Sequence, residues 1–364
     1  MKPRSTRRKG GAHTIDDVAR HAGVSPMTVS RVINGERNVR ETTRKRVTDA
    51  IRELGYAPNQ AARSLASAQT LKVGLLYSNP SAAYLSEFLL GGLDQCSRAG
   101  AQLVVEKCDA ESGEVTAVER LLASGVDGVL LPPPLCDSAS VVDRLKAAGV
   151  PTVAVASGQP APGVSSIRID DLAAAQAMVR HLIALGHRRI AFVRGHPNQT
   201  ASEQRYQGYV RALQEGGLEV DERLVVQGYF TYHSGLDAAD ALLSLRHRPT
   251  AVFASNDDMA AAAIAVAHRQ GLDVPRDLTI VGFDDTALAS TVWPPLTTIR
   301  QPVAEMSREA VSVLLDAVRR KIDGEAPVFA RELMDYALVR RQSDGHPPAP
   351  EPPAGRRGGG KAAA

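Results

Sequence analysis

The chain has 364 residues, 44% hydrophobic and only 4% aromatic, a size and balance that suit a soluble globular protein of two or three domains. Its formal net charge of +3 is unevenly spread: residues 1–63 hold 14 Lys+Arg against 6 Asp+Glu, a net of +8, and the remainder carries a net of −5. The sequence has no run of about 18 apolar residues to span a membrane, and its three cysteines (Cys96, Cys108, Cys136) are an odd number without metal-ligand spacing. These features suit a reduced cytoplasm and a basic module made for a polyanion, joined to a mildly acidic body.

Met1 to Lys9 is basic like the start of a secretory leader. Gly, His and a capped polar helix follow instead of an apolar segment, so export is not expected. Residues 1–13 read as a disordered basic arm, either touching phosphates or inert. Thr14 can cap a helix with Asp17 as its third-position partner, and Ile15, Val18, Ala19 and Ala22 then share one face. Gly23 supplies the turn. Ser25 starts a second helix with Pro26 in its first position, where a missing N–H is harmless. Val29, Val32 and Ile33 form the buried face, and Asn34-Gly35 stops the helix. Two short helices on a tight turn make a helix-turn-helix, whose second helix lies in the DNA major groove. A polar loop, Glu36 to Arg40, leads to a third helix from Glu41 to Leu54, with Val47, Ala50, Ile51 and Leu54 covering the first two.

The runs Val18-Ala19, Ala22-Gly23-Val24-Ser25 and Thr28-Val29-Ser30-Arg31-Val32-Ile33-Asn34 resemble the headpiece of the lactose-repressor (LacI) family of transcriptional regulators almost letter for letter. The likeness continues through Thr42-Thr43-Arg44 and Leu54-Gly55-Tyr56-Ala57-Pro58-Asn59 to Ala62-Arg63-Ser64-Leu65. It implies a DNA-binding domain over 14–58, then a hinge helix and linker over 59–70. In the family two hinge copies pair in the minor groove, and the residue at Leu65 wedges between base pairs, a cost of about a few kcal/mol per step that the bend repays. A plain Ala-rich linker is the bland reading of the same stretch.

The resemblance also assigns DNA contacts. The residues at Pro26 and Met27 choose the operator and that at Arg31 meets a base edge, where an arginine paired with guanine contributes about 1–3 kcal/mol of discrimination. Pro26 departs from the polar side chains often found there and has no donor, so apolar contact by Pro26 and Met27 must replace hydrogen bonding. Thr14, Ser25, Thr28, Ser30, Asn34 and Arg44 are phosphate candidates, with Thr14 and Ser25 equally readable as caps alone. Asn59, Ala62 and Leu65 complete the DNA-binding set. The expected partners are double-stranded DNA with an approximately palindromic operator and a second copy of the chain, because two-fold protein symmetry is mirrored in DNA.

From Leu71 the texture changes. Apolar strand-like runs at 73–76, 103–105, 128–131, 152–155, 189–193, 251–254 and 279–283 alternate with helix-like segments at 85–99, 114–124, 172–185, 202–215, 257–270 and 303–320. Such alternation argues for parallel sheets covered by helices. Residues 71–342 read as a two-lobe α/β body of the periplasmic-binding-protein kind, which the resemblance covers as well, joined to an all-α helix-turn-helix headpiece. Crossings between lobes are expected near 166–172 and 286–300, with a last strand near Leu333 to Val339. Residues 343–364 are Pro- and Gly-rich and read as a disordered tail. Lacking the C-terminal leucine heptad that makes some relatives tetramers, the chain is expected to be a homodimer.

A cleft that holds a sugar or nucleoside needs polar groups for hydroxyls and an aromatic face. Asn79, Tyr84 and Ser86 follow the first strand, and Asp170 and Asp171 precede a long helix at a lobe crossing. Arg205, three residues before Gly208, matches the family's effector-binding arginine, and Phe230 the position of a stacking aromatic. Asn256 and Asp284 match two polar positions that bond effector groups, although Asn256 could equally cap a helix. Ser202 and the lone Trp293 complete the effector set. A carbohydrate effector is favoured and a purine is the alternative. No cofactor or metal is expected.

Two other classes fit the same residues less well. A periplasmic solute-binding protein shares the two-lobe body but needs a leader and has no use for a basic helix-turn-helix. An enzyme would need catalytic groups, yet the chain has no P-loop, strand-linked G-x-G-x-x-G, nucleophile elbow or zinc spacing. Asp284-Asp285 has no identifiable nucleophile or base partner.

Overall fold

A computed structural model describes residues 14–33, 39–54, 70–78, 80–108 and 113–348, and the chain divides into two compact units, Met1–Thr70 and Leu71–Ala364. The expected basic arm, Asn34, the hinge residues Asn59, Ala62 and Leu65, Asn79, and the chain past residue 348 lie outside the described residues.

In the first unit, α1 (Ile15–Ala22) opens on a reciprocal cap. Thr14 Oγ1 accepts from the Asp17 N–H at 3.3 Å and Asp17 Oδ2 accepts from the Thr14 N–H at 2.9 Å, so a side chain meets backbone donors that the first turn leaves open. Gly23 ends α1 at φ 63°, a left-handed conformation that any side chain would strain. At the start of α2 (Pro26–Ile33), Ser25 Oγ accepts from the Thr28 N–H at 3.2 Å. α3 (Glu41–Glu53) packs on both. Val18, Val29 and Val47, one from each helix, are fully buried at the centre of a small core with Ala19, Ala22, Val32 and Ala50.

The second unit alternates strand and helix. A first lobe contains β1 (Lys72–Tyr77), α4 (Ala82–Ala99), β2 (Gln102–Lys107), α5 (Glu114–Ala123), β3 (Gly128–Leu131), α6 (Ala139–Ala147), β4 (Thr152–Val155) and β5 (Ser165–Arg168). The second contains α7 (Asp171–Ala184), β6 (Ile190–Arg194), α8 (Thr200–Glu215), β7 (Val225–Gln227) and α9 (Tyr232–Leu243). It continues with β8 (Ala251–Ala254), α10 (Asp257–Arg269), β9 (Thr279–Asp284), α11 (Ala287–Thr291) and β10 (Thr297–Arg300). α12 (Val303–Ile322) then returns to pack on α4 and the first sheet, and β11 (Arg331–Leu333) and β12 (Ala337–Val339) follow.

The sheets run β11-β5-β4-β3-β1-β2 and β12-β10-β9-β8-β6-β7, and every pairing is parallel except that of β10 with β12. Parallel neighbours are joined by crossovers that cover both faces. The central strands are therefore buried at every residue, as in β3, β4, β8 and β9.

Two expectations change. α11 and β10 belong wholly to the second lobe, because β10 pairs with β9 with Arg300 opposite Asp284, and the second crossing falls at Gln301–Pro302 rather than across 286–300. The single last strand is two: Leu333 lies opposite Arg168 in the first sheet and Leu338 opposite Ile299 in the second, so Met334–Tyr336 make a third crossing. The start of the tail also moves. Ser343 is fully buried, its Oγ donating to the Ile280 carbonyl at 2.5 Å and accepting from the Thr297 N–H at 2.9 Å. Asp344 accepts from Thr297 Oγ1 at 2.5 Å and pairs with His181 at 2.7 Å. Polar composition was a poor guide here, since these groups are held by hydrogen bonds rather than by apolar burial.

Candidate functional site

In parallel sheets ligands bind beyond the carboxyl ends of strands. Here Ser81, Pro133 and Ala156 follow strands of the first lobe, Gln199 and Asn256 follow strands of the second, Asp284 ends β9, and Gln301 follows β10. With Tyr84, Ala201, Arg205 and Phe230 they line one cavity between the lobes, about 30 Å³ at its heart within a cleft of about 360 Å³ counted to its mouth. The heart has room for about one water molecule, and the lobes are bridged across it. Ser81 Oγ donates across the cleft to Asp258 Oδ2 at 2.6 Å.

Arg205, on α8, is the cation of this wall. Its Nε donates to Asp171 Oδ1 at 2.8 Å, and one terminal nitrogen donates to the Ser255 carbonyl at 2.6 Å and stands 3.7 Å from Asp284 Oδ1. The guanidinium lies 3.6 Å from the centre of the Phe283 ring. A buried charge persists when it is paired in this way. Asp284 Oδ1 also accepts from Gln301 Nε2 at 3.0 Å. Burial pushes the Asp284 carboxyl well above the ordinary range, Arg205 opposes the rise, and Asp257, Asp258 and Asp171 add to it. Burial raises Asp171 too, against the pull of Arg205. A carboxyl held toward its neutral form can donate as well as accept, which suits the recognition of hydroxyl groups.

Asn256 does two jobs: its Oδ1 accepts from the Met259 N–H at 3.0 Å, capping α10, and its Nδ2 donates to the Phe230 carbonyl at 3.0 Å. The Phe230 ring occupies the place a side chain on residue 195 would need, for a Cβ on Gly195 would fall 1.9 Å from Phe230 Cζ. Among the described residues, the non-glycine positions with left-handed φ are Ala156, Phe230, Asp284 and Asp285, and the first three line the cavity. Strain of this kind collects at functional sites because surrounding structure must hold it. The Tyr84 hydroxyl and Gln301 Oε1, both buried in this wall, meet no hydrogen-bond partner. Buried polar atoms are normally paired, so the wall is shaped for something polar.

Of the side chains expected in the effector site, Tyr84, Arg205, Phe230, Asn256 and Asp284 are brought together here. Four others are not among its lining. Ser86 is exposed on α4, and Asp170 caps α7 by accepting from the Ala173 N–H at 2.9 Å. Ser202 is buried in the first turn of α8, and Trp293 is 73% exposed. Sequence reasoning missed Ser81, Gln199 and Gln301. Gln301 carried no signal of its own, because its place follows from the pairing of β10 with β9.

In the headpiece, Pro26 and Met27 are exposed at the start of α2, Arg31 is exposed about one turn on, and Thr28, Ser30 and Arg44 are half-buried. Thr14 and Ser25 both act as caps. Among the described residues no cluster of His, Cys, Asp or Glu is placed to hold a metal ion, and no helix is long and apolar enough to cross a membrane.

Residues 14–59 match the family of bacterial regulatory proteins called lacI, and residues 179–343 match the periplasmic binding protein-like domain. The chain is 38% identical over 307 residues to Catabolite control protein A of Priestia megaterium, covering 83% of this chain and 91% of that protein. It is similar to the solved complex of the transcriptional regulator CelR with cellobiose, at a TM-score of 0.69 and 36% identity, covering 91% of this chain and 99% of the other. The lac repressor dimer bound to operator and the anti-inducer ONPF gives a TM-score of 0.67 at 31% identity, with 92% and 100% covered.

Proposed function

Since the chain belongs to the lacI family of bacterial regulatory proteins, we propose that it is a transcriptional repressor that grips DNA as a homodimer, its grip set by a small carbohydrate held between the two lobes. The observation that carries this reading is the presence in one chain of a capped helix-turn-helix and a two-lobe cavity rich in buried polar groups. In this reading Pro26, Met27 and Arg31 face base edges, and Thr28, Ser30 and Arg44 face phosphates. Thr14 and Ser25 fix the helix starts, and Asn34, Asn59, Ala62 and Leu65 complete the footprint. An approximately palindromic operator follows from the two-fold dimer, and the similar lac repressor was solved as a dimer bound to operator.

Support for a carbohydrate comes from Arg205, Asn256, Asp284, Gln301 and Tyr84, whose donors and acceptors suit ring hydroxyls, and from the face of Phe230. The similar CelR was solved with cellobiose. The ligand acts by population shift: it changes DNA affinity to the extent that it binds open and closed lobes differently. No catalytic step is part of this reading, and the protein works in the cytoplasm, where its DNA is.

Mobility shifts with promoter fragments at rising salt test the head. Affinity should fall linearly on logarithmic axes as counterions are released, and salt-insensitive binding or none overturns the assignment. Calorimetric titration of sugars and purines into the full-length protein, with Asp284→Ala alongside, tests the cleft. Sugar binding that this variant abolishes is the expected result. Binding of a purine alone redirects the effector class, and undiminished binding by the variant removes Asp284 from the site.

A further inference from the structure

A second cavity, of about 520 Å³, opens on the first lobe at the end of its sheet opposite the cleft. Its walls come from the amino ends of β4 and β5, the carboxyl end of α12, and the segment that leads on to β11. Val150, Pro151, Ala317, Pro327, Val328 and Phe329 make it mainly apolar. Val328 and Phe329 remain 58% and 48% exposed, although they sit on a concave surface. Large apolar side chains left in water around a hollow mark a binding site rather than a folding core, and the volume falls within the range of about 300–1,000 Å³ usual for small organic ligands.

The rim is cationic. Lys146, Arg320 and Lys321 face Glu325 alone. Glu325 is engaged by Arg320 at 2.9 Å, and Lys321 Nζ spends one of its three donors on the Gly149 carbonyl at 2.8 Å. The Lys146 chain lies along the wall beside Gly163. An excess of positive charge therefore borders an apolar floor. Neither a neutral sugar, which would leave the floor unmatched, nor a small inorganic anion, which would ignore it, satisfies both halves.

We propose that this cavity binds an amphipathic monoanion, a carboxylate carried on a flat or extended apolar body, with the charge at Lys146 and Lys321 and the body on Pro151, Val328 and Phe329. The cavity shares no lining residue with the cleft. Its wall nevertheless joins two segments that reach between lobes: α12 starts beside Gln301, and β11 leads into the crossing at Met334–Tyr336. A ligand here holds the first lobe at both segments without touching the effector's site.

The test is calorimetric titration of the full-length protein with 2-naphthoate, with 2-naphthamide and acetate as controls. Saturable binding of 2-naphthoate is expected, with the amide about tenfold weaker, the loss that follows when a charge-assisted contact goes, and acetate silent. Lys146→Gln and Phe329→Ser should each weaken binding about tenfold. Both side chains are exposed, so an unchanged melting temperature confirms that the fold is intact. Absence of saturable binding, equal binding of the amide, or binding that survives the double variant Lys146→Gln/Phe329→Ser would each overturn the proposal.

Discussion

Asp137 of the first lobe accepts two hydrogen bonds from Thr200 of the second, one from its N–H to Oδ2 and one from its hydroxyl to Oδ1, both at 2.8 Å. Ser157 donates to Asp137 Oδ1 at 2.6 Å, and the Thr200 hydroxyl accepts from the Gln159 N–H at 3.1 Å. Thr200 opens α8, the helix that carries Arg205, so the carboxylate sits at the positive end of that helix's dipole. Hydrogen bonds to a charged group contribute about 1.5–3 kcal/mol, and this bridge exists only while the lobes are together. Asp137→Ala is therefore expected to shift the body toward open forms, raising its radius of gyration in small-angle scattering and weakening effector binding about tenfold or more. Unchanged scattering and affinity would show that closure does not rest on Asp137.

Arg205 and Asp171 have side chains only 5% and 1% exposed, so neither charge can turn to water if the other is removed. Arg205→Ala should cost about 3–5 kcal/mol in urea unfolding, because it leaves buried carboxylates uncompensated. Arg205→Lys keeps the charge but loses the planar fork that reaches Asp171 and the Ser255 carbonyl together, and should recover only part of the loss. In a double-mutant cycle, Asp171→Ala added to Arg205→Ala should cost far less than the sum of the single effects. Additive costs would mean that the pair is not coupled.

The strap around residue 344 predicts a loss of stability in acid. His187 is fully buried; its Nε2 donates to the Gly345 carbonyl at 2.9 Å and its Nδ1 lies 2.9 Å from the Thr250 hydroxyl oxygen. Burial holds this imidazole below its ordinary value of 6.5. Burial works to raise Asp344, but hydrogen bonds from His181 and Thr297, with Arg340 nearby, hold its carboxyl below 3.8. In both cases the unfolded chain takes up its proton first as pH falls. The His187 contribution is intact above about 6.5 and is lost below it, and that of Asp344 is lost below about 3.8. Urea midpoints from neutral pH down to about pH 3 should show both stages, with His187→Gln flattening the first and Asp344→Asn the second. A wild-type profile in the His187 variant would remove that residue from the acid transition.

Local chemistry made much of the molecule legible in advance. The cap at Thr14 and Asp17, the turn at Gly23, and the unbroken apolar runs of β3, β4 and β8 are decided by neighbours in sequence, and they stand where the residues put them. The edge strand β7 is three residues long and half-buried or exposed, too short to stand out in the pattern, while β11 and β12 read as one last strand because only three residues separate them. α6 and α9 also went unmarked, although Ser138 and Thr231 cap them by side-chain bonds that the residues alone could have suggested. In the cleft, Asp284 announces itself by its charge at a strand end and Arg205 by its place three residues before Gly208. Gln301 does not, since only the register of β10 against β9 brings it to the Asp284 carboxyl. Trp293 shows the converse: a lone large aromatic beside a lobe crossing suggested a ligand face, and the fold leaves it in solvent.

The order of the chain has a consequence for its synthesis. α12 and β11 complete the first lobe but are encoded after all of the second except its last strand, and Leu314 of α12 packs so tightly on Gly128 of β3 that a Cβ there would stand 2.7 Å from it. At about 5–20 residues per second, a ribosome that has finished β5 needs on the order of ten seconds to deliver them. During that interval the nascent first sheet has one apolar flank without its cover, whereas the headpiece helices have all emerged. Translation pauses or truncations after Arg300 should therefore yield chains with a folded head and a sticky, unfinished body, the form most in need of a chaperone.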